Sequence, residues 1–167
     1  MNIVSIDAST KSSGIALFEN GQLTVYDNFT NSSSDLIKRI SHMINKLDEF
    51  LNEHHVDKII LEEVHPEDKL TNIKTHKALM YLQAAIAFLV HERHSYIQIE
   101  YLYPSEWRKL CGIKTGRGTY RSSLKEQDIA FVKERFGLNV NDDIADAICI
   151  GYAYLNKPKP EEKISAW

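Results

Sequence analysis

Cysteine is scarce in this chain: two in 167 residues, Cys111 and Cys149. They form neither a CxxC pair nor a disulfide framework, so a reducing, cytoplasmic setting is expected. No apolar run reaches the length of a membrane span, and the start, MNIVSIDA, lacks a signal peptide's basic region and long apolar stretch. No membrane partner is therefore expected. With only four prolines and seven glycines there is no repeat and no linker that would divide the chain. One domain is expected over residues 1–156, followed by a Pro- and Lys-rich tail at 157–167. Nor is there a strong net charge; −3 gives a nucleic-acid reading no support by itself.

The distribution of charge says more. Residues 105–125 hold Arg108, Lys109, Lys114, Arg117, Arg121 and Lys125 against the single acid Glu106, which leaves the rest of the chain acidic. A basic segment on an acidic body can form a phosphate-binding stripe. Taken alone, it is better read as an ordinary solvated loop.

The pattern of elements is α/β. IVSID (3–7) and GIALF (14–18) are short β-rich runs, and Asn20-Gly21 is a hairpin signal leading into QLTVYDNFT (22–30). These three runs predict an antiparallel meander. NSSSD (31–35) opens an amphipathic helix through Leu36, Ile37, Ile40, Ile44, Leu47 and Leu51. KIILEE (58–63) predicts a fourth strand. The helix expected over 75–93 is apolar almost all round, as befits a core helix or a subunit interface. YIQIEYLY (96–103) predicts a fifth strand, and Pro104 starts a short helix. After the Gly-rich basic loop 112–121, Ser123 and Glu126 have capping-box spacing for a helix ending at Gly137. Asn141 caps a last helix with a core stripe of Ile144, Ile148, Gly151, Tyr152 and Leu155. The order βββ-α-β-α-β-α-α predicts a mixed sheet with helices on both faces.

Acids close several of these elements. Asp7 ends the first strand, Glu62 the fourth, and Asp143 and Asp146 stand one turn apart at the start of the last helix. In α/β sheets, sites collect at strand carboxyl ends. Each acid alone is unremarkable, and Asp142 and Asp143 are favourable with the helix dipole. Asp146 differs: it sits in the second turn among Ala145, Ala147 and Ile148, where capping does not explain it. Four convergent carboxylates repel unless a cation neutralises them. An oxygen-only donor set suits Mg2+ or Mn2+, and a pair of such ions is a common engine of phosphodiester hydrolysis.

IVSIDAS, IILEEV, KALMYLQAAIAFLV, PSEWRKLCGI and DDIADAICIGYAY, in that order, resemble the RuvC-type Holliday junction resolvases of the retroviral-integrase and RNase H-like superfamily. The similarity runs to about residue 155 and is nearest to bacteriophage members of lactococcal-phage type. It implies an RNase H-like five-stranded sheet, three strands antiparallel and then two parallel. It also implies a homodimer, built on the 75–93 helix, that nicks opposed strands of four-way DNA junctions in the bacterial cytoplasm; forks and flaps are further expected substrates. By the same resemblance Asp7, Glu62, Asp143 and Asp146 hold two Mg2+ ions (Mn2+ substituting), with the neighbouring Glu63 and Asp142 as alternative ligands, and Lys125 stands near the scissile phosphate. Arg108, Lys109, Lys114, Arg117, Arg121 and Lys11 are implied on the DNA surface. His65 is placed there too, at the position of the family's aromatic wedge.

Two other readings compete. One is a junction-binding module that does not cleave. The other is an actin- or Hsp70-like nucleotide-binding domain, suggested by DASTKSSG (7–14), although 167 residues leave no room for the second domain it needs. GIKTGRG lacks the ending of a P-loop, and His91 and His94 have no evident third ligand.

Overall fold

Residue alternation along the strands decides which acids share a face. The computed structural model describes residues 1–64, 73–116 and 118–158; His65, Arg117 and most of the tail lie outside them. Strands β1 (Asn2–Asp7), β2 (Ser12–Glu19), β3 (Gln22–Thr30), β4 (Lys58–Glu62) and β5 (Gln98–Leu102) form one sheet ordered β3-β2-β1-β4-β5. β1, β2 and β3 pair antiparallel, and β1–β4 and β4–β5 pair parallel. Asn20 and Gly21 both have positive φ, as the expected two-residue hairpin turn requires.

Helices α1 (Leu36–Glu53) and α2 (Ile73–Arg93) cover one face, while α3 (Pro104–Leu110), α4 (Arg121–Phe136) and α5 (Asp142–Asn156) cover the other. Val4, Ile6, Ile15, Leu17, Ile59 and Leu61 point to the α1/α2 side; Ile3, Ala16, Phe18 and Ile60 point to the α5 side. The period of two then sends Ser5 and Asp7 of β1, and Glu62 of β4, to the α5 side as well. Ser5 shows this directly, its hydroxyl donating to the Ala147 carbonyl at 2.6 Å.

α5 lies unusually close to the sheet. A β-carbon on Gly151 would run into Phe18 and the Ser5 hydroxyl, and one on Gly14 would overlap the Asp143 backbone. Small residues at these two points let the helix backbone approach the strands. α5 is buried on more sides than the expected stripe: Ala145, Ala147, Ile148, Cys149, Ile150, Gly151 and Ala153 are all buried, while Ile144, Tyr152 and Leu155 are only partly so. The cause is that α3 and α4 pack on the side of α5 away from the sheet.

Other local expectations hold with two exceptions. The Asp35 carboxylate caps α1, Asn141 Oδ1 accepts from the Ile144 N–H at 2.9 Å, and Gly137 ends α4 in the left-handed region. α4, however, does not start from a Ser123–Glu126 capping box. It begins three residues earlier, after Tyr120, with no side-chain cap, and Ser123 and Glu126 lie inside its first turns. The extended backbone at Tyr120 already turns the chain into the helix. β5 is also shorter than the run 96–103 suggested.

α2 explains its all-round apolar composition. One side contributes Leu82, Ile86, Leu89 and Val90 to the core; the other leaves Ile73, Met80, Tyr81 and Phe88 exposed at helical spacing. Among the described residues, no helix is long and apolar enough to cross a membrane. Cys111 and Cys149 are both free and buried.

Candidate metal centre

The sheet register sets two acids side by side. Ile6 pairs with Leu61, so the next residues, Asp7 and Glu62, end neighbouring parallel strands on the same face. Asp7 pairs across β2 with Gly14, the residue against which Asp143 packs. Three elements thus deliver Asp7, Glu62, Asp143 and Asp146 to one end of the sheet, beneath α5.

The acids feel one another. Burial, with the charges of Glu62 and Asp143, lifts the Asp7 carboxyl to about 7. Burial, with Asp7 and Asp128 beside it, lifts Asp146 to about 9, Glu62 adding to the effect. Lys125 and Arg121 pull Asp7 the other way. Asp143 accepts a short hydrogen bond from the Ser12 hydroxyl, and Glu62 Oε2 accepts from the Trp107 indole N–H at 2.7 Å. Arg108 stacks on the Trp107 ring, 4.5 Å from its centroid, and its guanidinium reaches within 4.0 Å of Glu62. The Gln83 amide fixes the backbone below, donating to the Glu62 carbonyl at 2.8 Å.

The residues fit a hard divalent cation. Their donors are oxygens throughout, and Asp146 Oδ1 is buried without a hydrogen-bond partner among the described residues. Carboxylates held close enough to raise one another's proton affinity gain from any positive centre placed among them. Among the described residues no three His, Cys, Asp or Glu side chains already enclose a common point at metal distances. The arrangement is an open one, in which Glu62 and Asp143 each give an oxygen to a protein donor.

Asp142 and Asp143 have different neighbours. Asp142 forms an ion pair with Lys125, whereas Asp143 is the member whose charge acts on Asp7. Lys125 accordingly lies at the acid cluster, paired to its rim. Arg108 is partly buried, with 21% of its side chain exposed, and it sits against Glu62. Lys109, Lys114 and Arg121 are exposed along the connection from α3 to α4. Lys11 is exposed in the β1–β2 turn beside an open groove of about 520 Å³ shared with Thr30, Asn31 and Ser32. His65 and Arg117, both expected to contact DNA, fall outside the described residues.

Two residues at the site were not singled out from sequence: Trp107 and Asp128. Trp107 is fully buried, and only its indole N–H bond to Glu62 reveals a polar role. Asp128 did leave a trace. Leu124, Asp128 and Val132 are spaced by four, which puts a carboxylate in the middle of the inward face of α4.

A mixed sheet of this order with helices on both faces defines an RNase H-like α/β fold of RuvC type. The structure is similar to Thermus thermophilus RuvC in complex with a Holliday junction substrate, with TM-score 0.72 at 13% identity over 93% of this chain and 92% of that one. A fowlpox virus resolvase bound to Holliday junction DNA matches with TM-score 0.59 at 21% identity, over 93% and 97% of the two chains. The yeast mitochondrial Holliday junction resolvase matches with TM-score 0.57 at 16% identity, over 92% and 77%. No family model and no curated protein matches the sequence.

Proposed function

We propose that this protein is a divalent-metal-dependent, structure-selective DNA endonuclease that resolves four-way junctions by paired nicks. The observation that carries the reading is the convergence of Asp7, Glu62, Asp143 and Asp146 at one sheet end, on a fold similar to junction-bound resolvases. Asp7 and Glu62 from the strands, with Asp143 and Asp146 from α5, would hold the cations, Mg2+ or Mn2+. Bound there, such ions polarise a phosphodiester and make water nucleophilic near neutral pH.

The chain's own groups supply the rest. Trp107 holds one Glu62 oxygen in place, and Ser12 does the same for Asp143. Lys125 carries its positive charge to the acid cluster, where an incoming phosphate would compete with Asp142 for the ammonium. Lys109, Lys114 and Arg121, with Arg117 and Lys11, would follow the phosphate backbone, an electrostatic and salt-sensitive contact. Nicking two opposed strands needs two sites, and the exposed Ile73, Met80, Tyr81 and Phe88 of α2 supply an apolar face for a second copy. Forks and flaps present the same branched backbone and are further proposed substrates.

The test is cleavage of a synthetic four-way junction against a linear duplex of the same arms, with Mg2+ or with chelator. Paired nicks in the junction alone, only with metal, are expected. Binding of the junction without nicks under any divalent metal would instead support a binding module.

A further inference from the structure

Asp128 is a buried carboxylate with no structural occupation. It is 1% exposed, in the centre of the face that α4 turns inward, between Leu124 and Val132. Neither of its oxygens meets a hydrogen-bond donor among the described residues. Arg108 and Lys125 are near enough to attract its charge, yet neither satisfies those oxygens. The group it faces is Asp146, whose carboxyl lies within hydrogen-bonding reach and whose own Oδ1 is buried and unpartnered. Two buried carboxylates set against each other need a positive centre at hand, since ionised groups are costly to bury uncompensated.

We propose that Asp128 is a fifth carboxylate of the cation site, joining Asp146 at its buried end. The proposal rests on the cation-dependent reading above and extends it to α4. Lys125 and Asp128, three residues apart, share a face of that helix. One helix would then present a cation-binding acid and the lysine at the rim of the acid cluster. The competing arrangement is a carboxyl pair that merely shares a proton and has no part in cation binding.

Titration calorimetry of Mn2+ into the metal-free full-length protein separates the two, with wild type, Asp128→Asn and Asp128→Ala compared and melting followed in parallel. Removing a carboxylate that supports metal ligands lowers metal affinity about 10- to 100-fold, and that loss is expected in both variants. The metal-free Asn variant should melt no lower than wild type, because an unsatisfied buried charge has been removed. Mn2+ affinity within twofold of wild type in either variant would overturn the proposal. So would a metal-free Asn variant that is less stable than wild type or unfolded, since Asp128 would then be holding the fold. If wild type itself takes up no Mn2+, the cation-dependent reading fails first, an outcome distinct from failure at Asp128 alone.

Discussion

Gly14 and Asp143 meet through their backbones, with no space for a β-carbon between β2 and the first turn of α5. Because Gly14 is also the cross-strand partner of Asp7, this contact sets the last helix's acids over the first strand's. Gly14→Ala should therefore do two things. Overpacking should lower stability by about 1–3 kcal/mol, and displacement of α5 should weaken Mg2+ binding even where the protein remains folded. Calorimetry well below the melting temperature checks the second effect. Normal Mg2+ affinity in a folded variant would contradict it.

The metal-free protein should lose stability as pH rises. Asp7, lifted to about 7, and Asp146, lifted to about 9, bind protons more tightly when folded than the ~3.9 of an unfolded aspartate. Their contribution is fully present below that unfolded value and is lost as pH climbs through 7 and then 9. Asp48, Asp57 and Glu100 are shifted downward, chiefly by hydrogen bonds from His94, the Asn2 backbone and Lys58. Their contribution is lost only in acid, as pH falls through their lowered values. The melting temperature in chelator should thus be highest near the unfolded carboxylate range, about pH 4, and fall toward 9, and added Mg2+ should raise it more at pH 9 than at pH 5. A rise in melting temperature from pH 5 to 9 without metal would count against the convergent acids.

Junction affinity should fall steeply with salt. Lys109, Lys114 and Arg121 are exposed, and replacing any one by Ala should reduce the slope of log affinity against log salt by about 1. Filter binding or anisotropy at several salt concentrations measures the slope. An unchanged slope would remove that residue from the DNA surface.

The α2 face should mediate self-association. Phe88 is 68% exposed amid Ile73, Met80 and Tyr81. Wild type is expected at twice the chain mass in light scattering, and Phe88→Asp at the chain mass with its fold intact. A wild-type protein that stays monomeric at working concentration would contradict the paired-nick mechanism.

Legibility from sequence followed the strength of each local signal. The strands, the Asn20-Gly21 turn and the caps at Asp35 and Asn141 were readable because alternation and turn chemistry are short-range. Asp7, Glu62, Asp143 and Asp146 stood out as acids where apolar patterning ends or is interrupted. Trp107 was hidden because an aromatic in a short helix looks like core; its N–H bond to Glu62 depends on tertiary placement. Asp128 was missed because α4 is mostly polar, so one more acid is inconspicuous unless its spacing from Leu124 and Val132 is noticed. The start of α4 shifted because the extended backbone at Tyr120, not the capping-box pattern, ends the loop. The close seating of α5 depends on Gly14 and Gly151, whose role appears only when the sheet and helix are assembled.

The central claim is that these carboxylates drive metal-dependent cleavage of branched DNA. Asp146→Asn tests it most directly, because the change is nearly isosteric and removes one acid from the proposed cation set. With Mg2+ on a four-way junction, nicking should fall by more than the ~10- to 100-fold cost of losing a group that only supports a metal ligand, while junction affinity in Ca2+ or chelator stays near wild type. Nicking at the wild-type rate by Asp146→Asn would contradict the account.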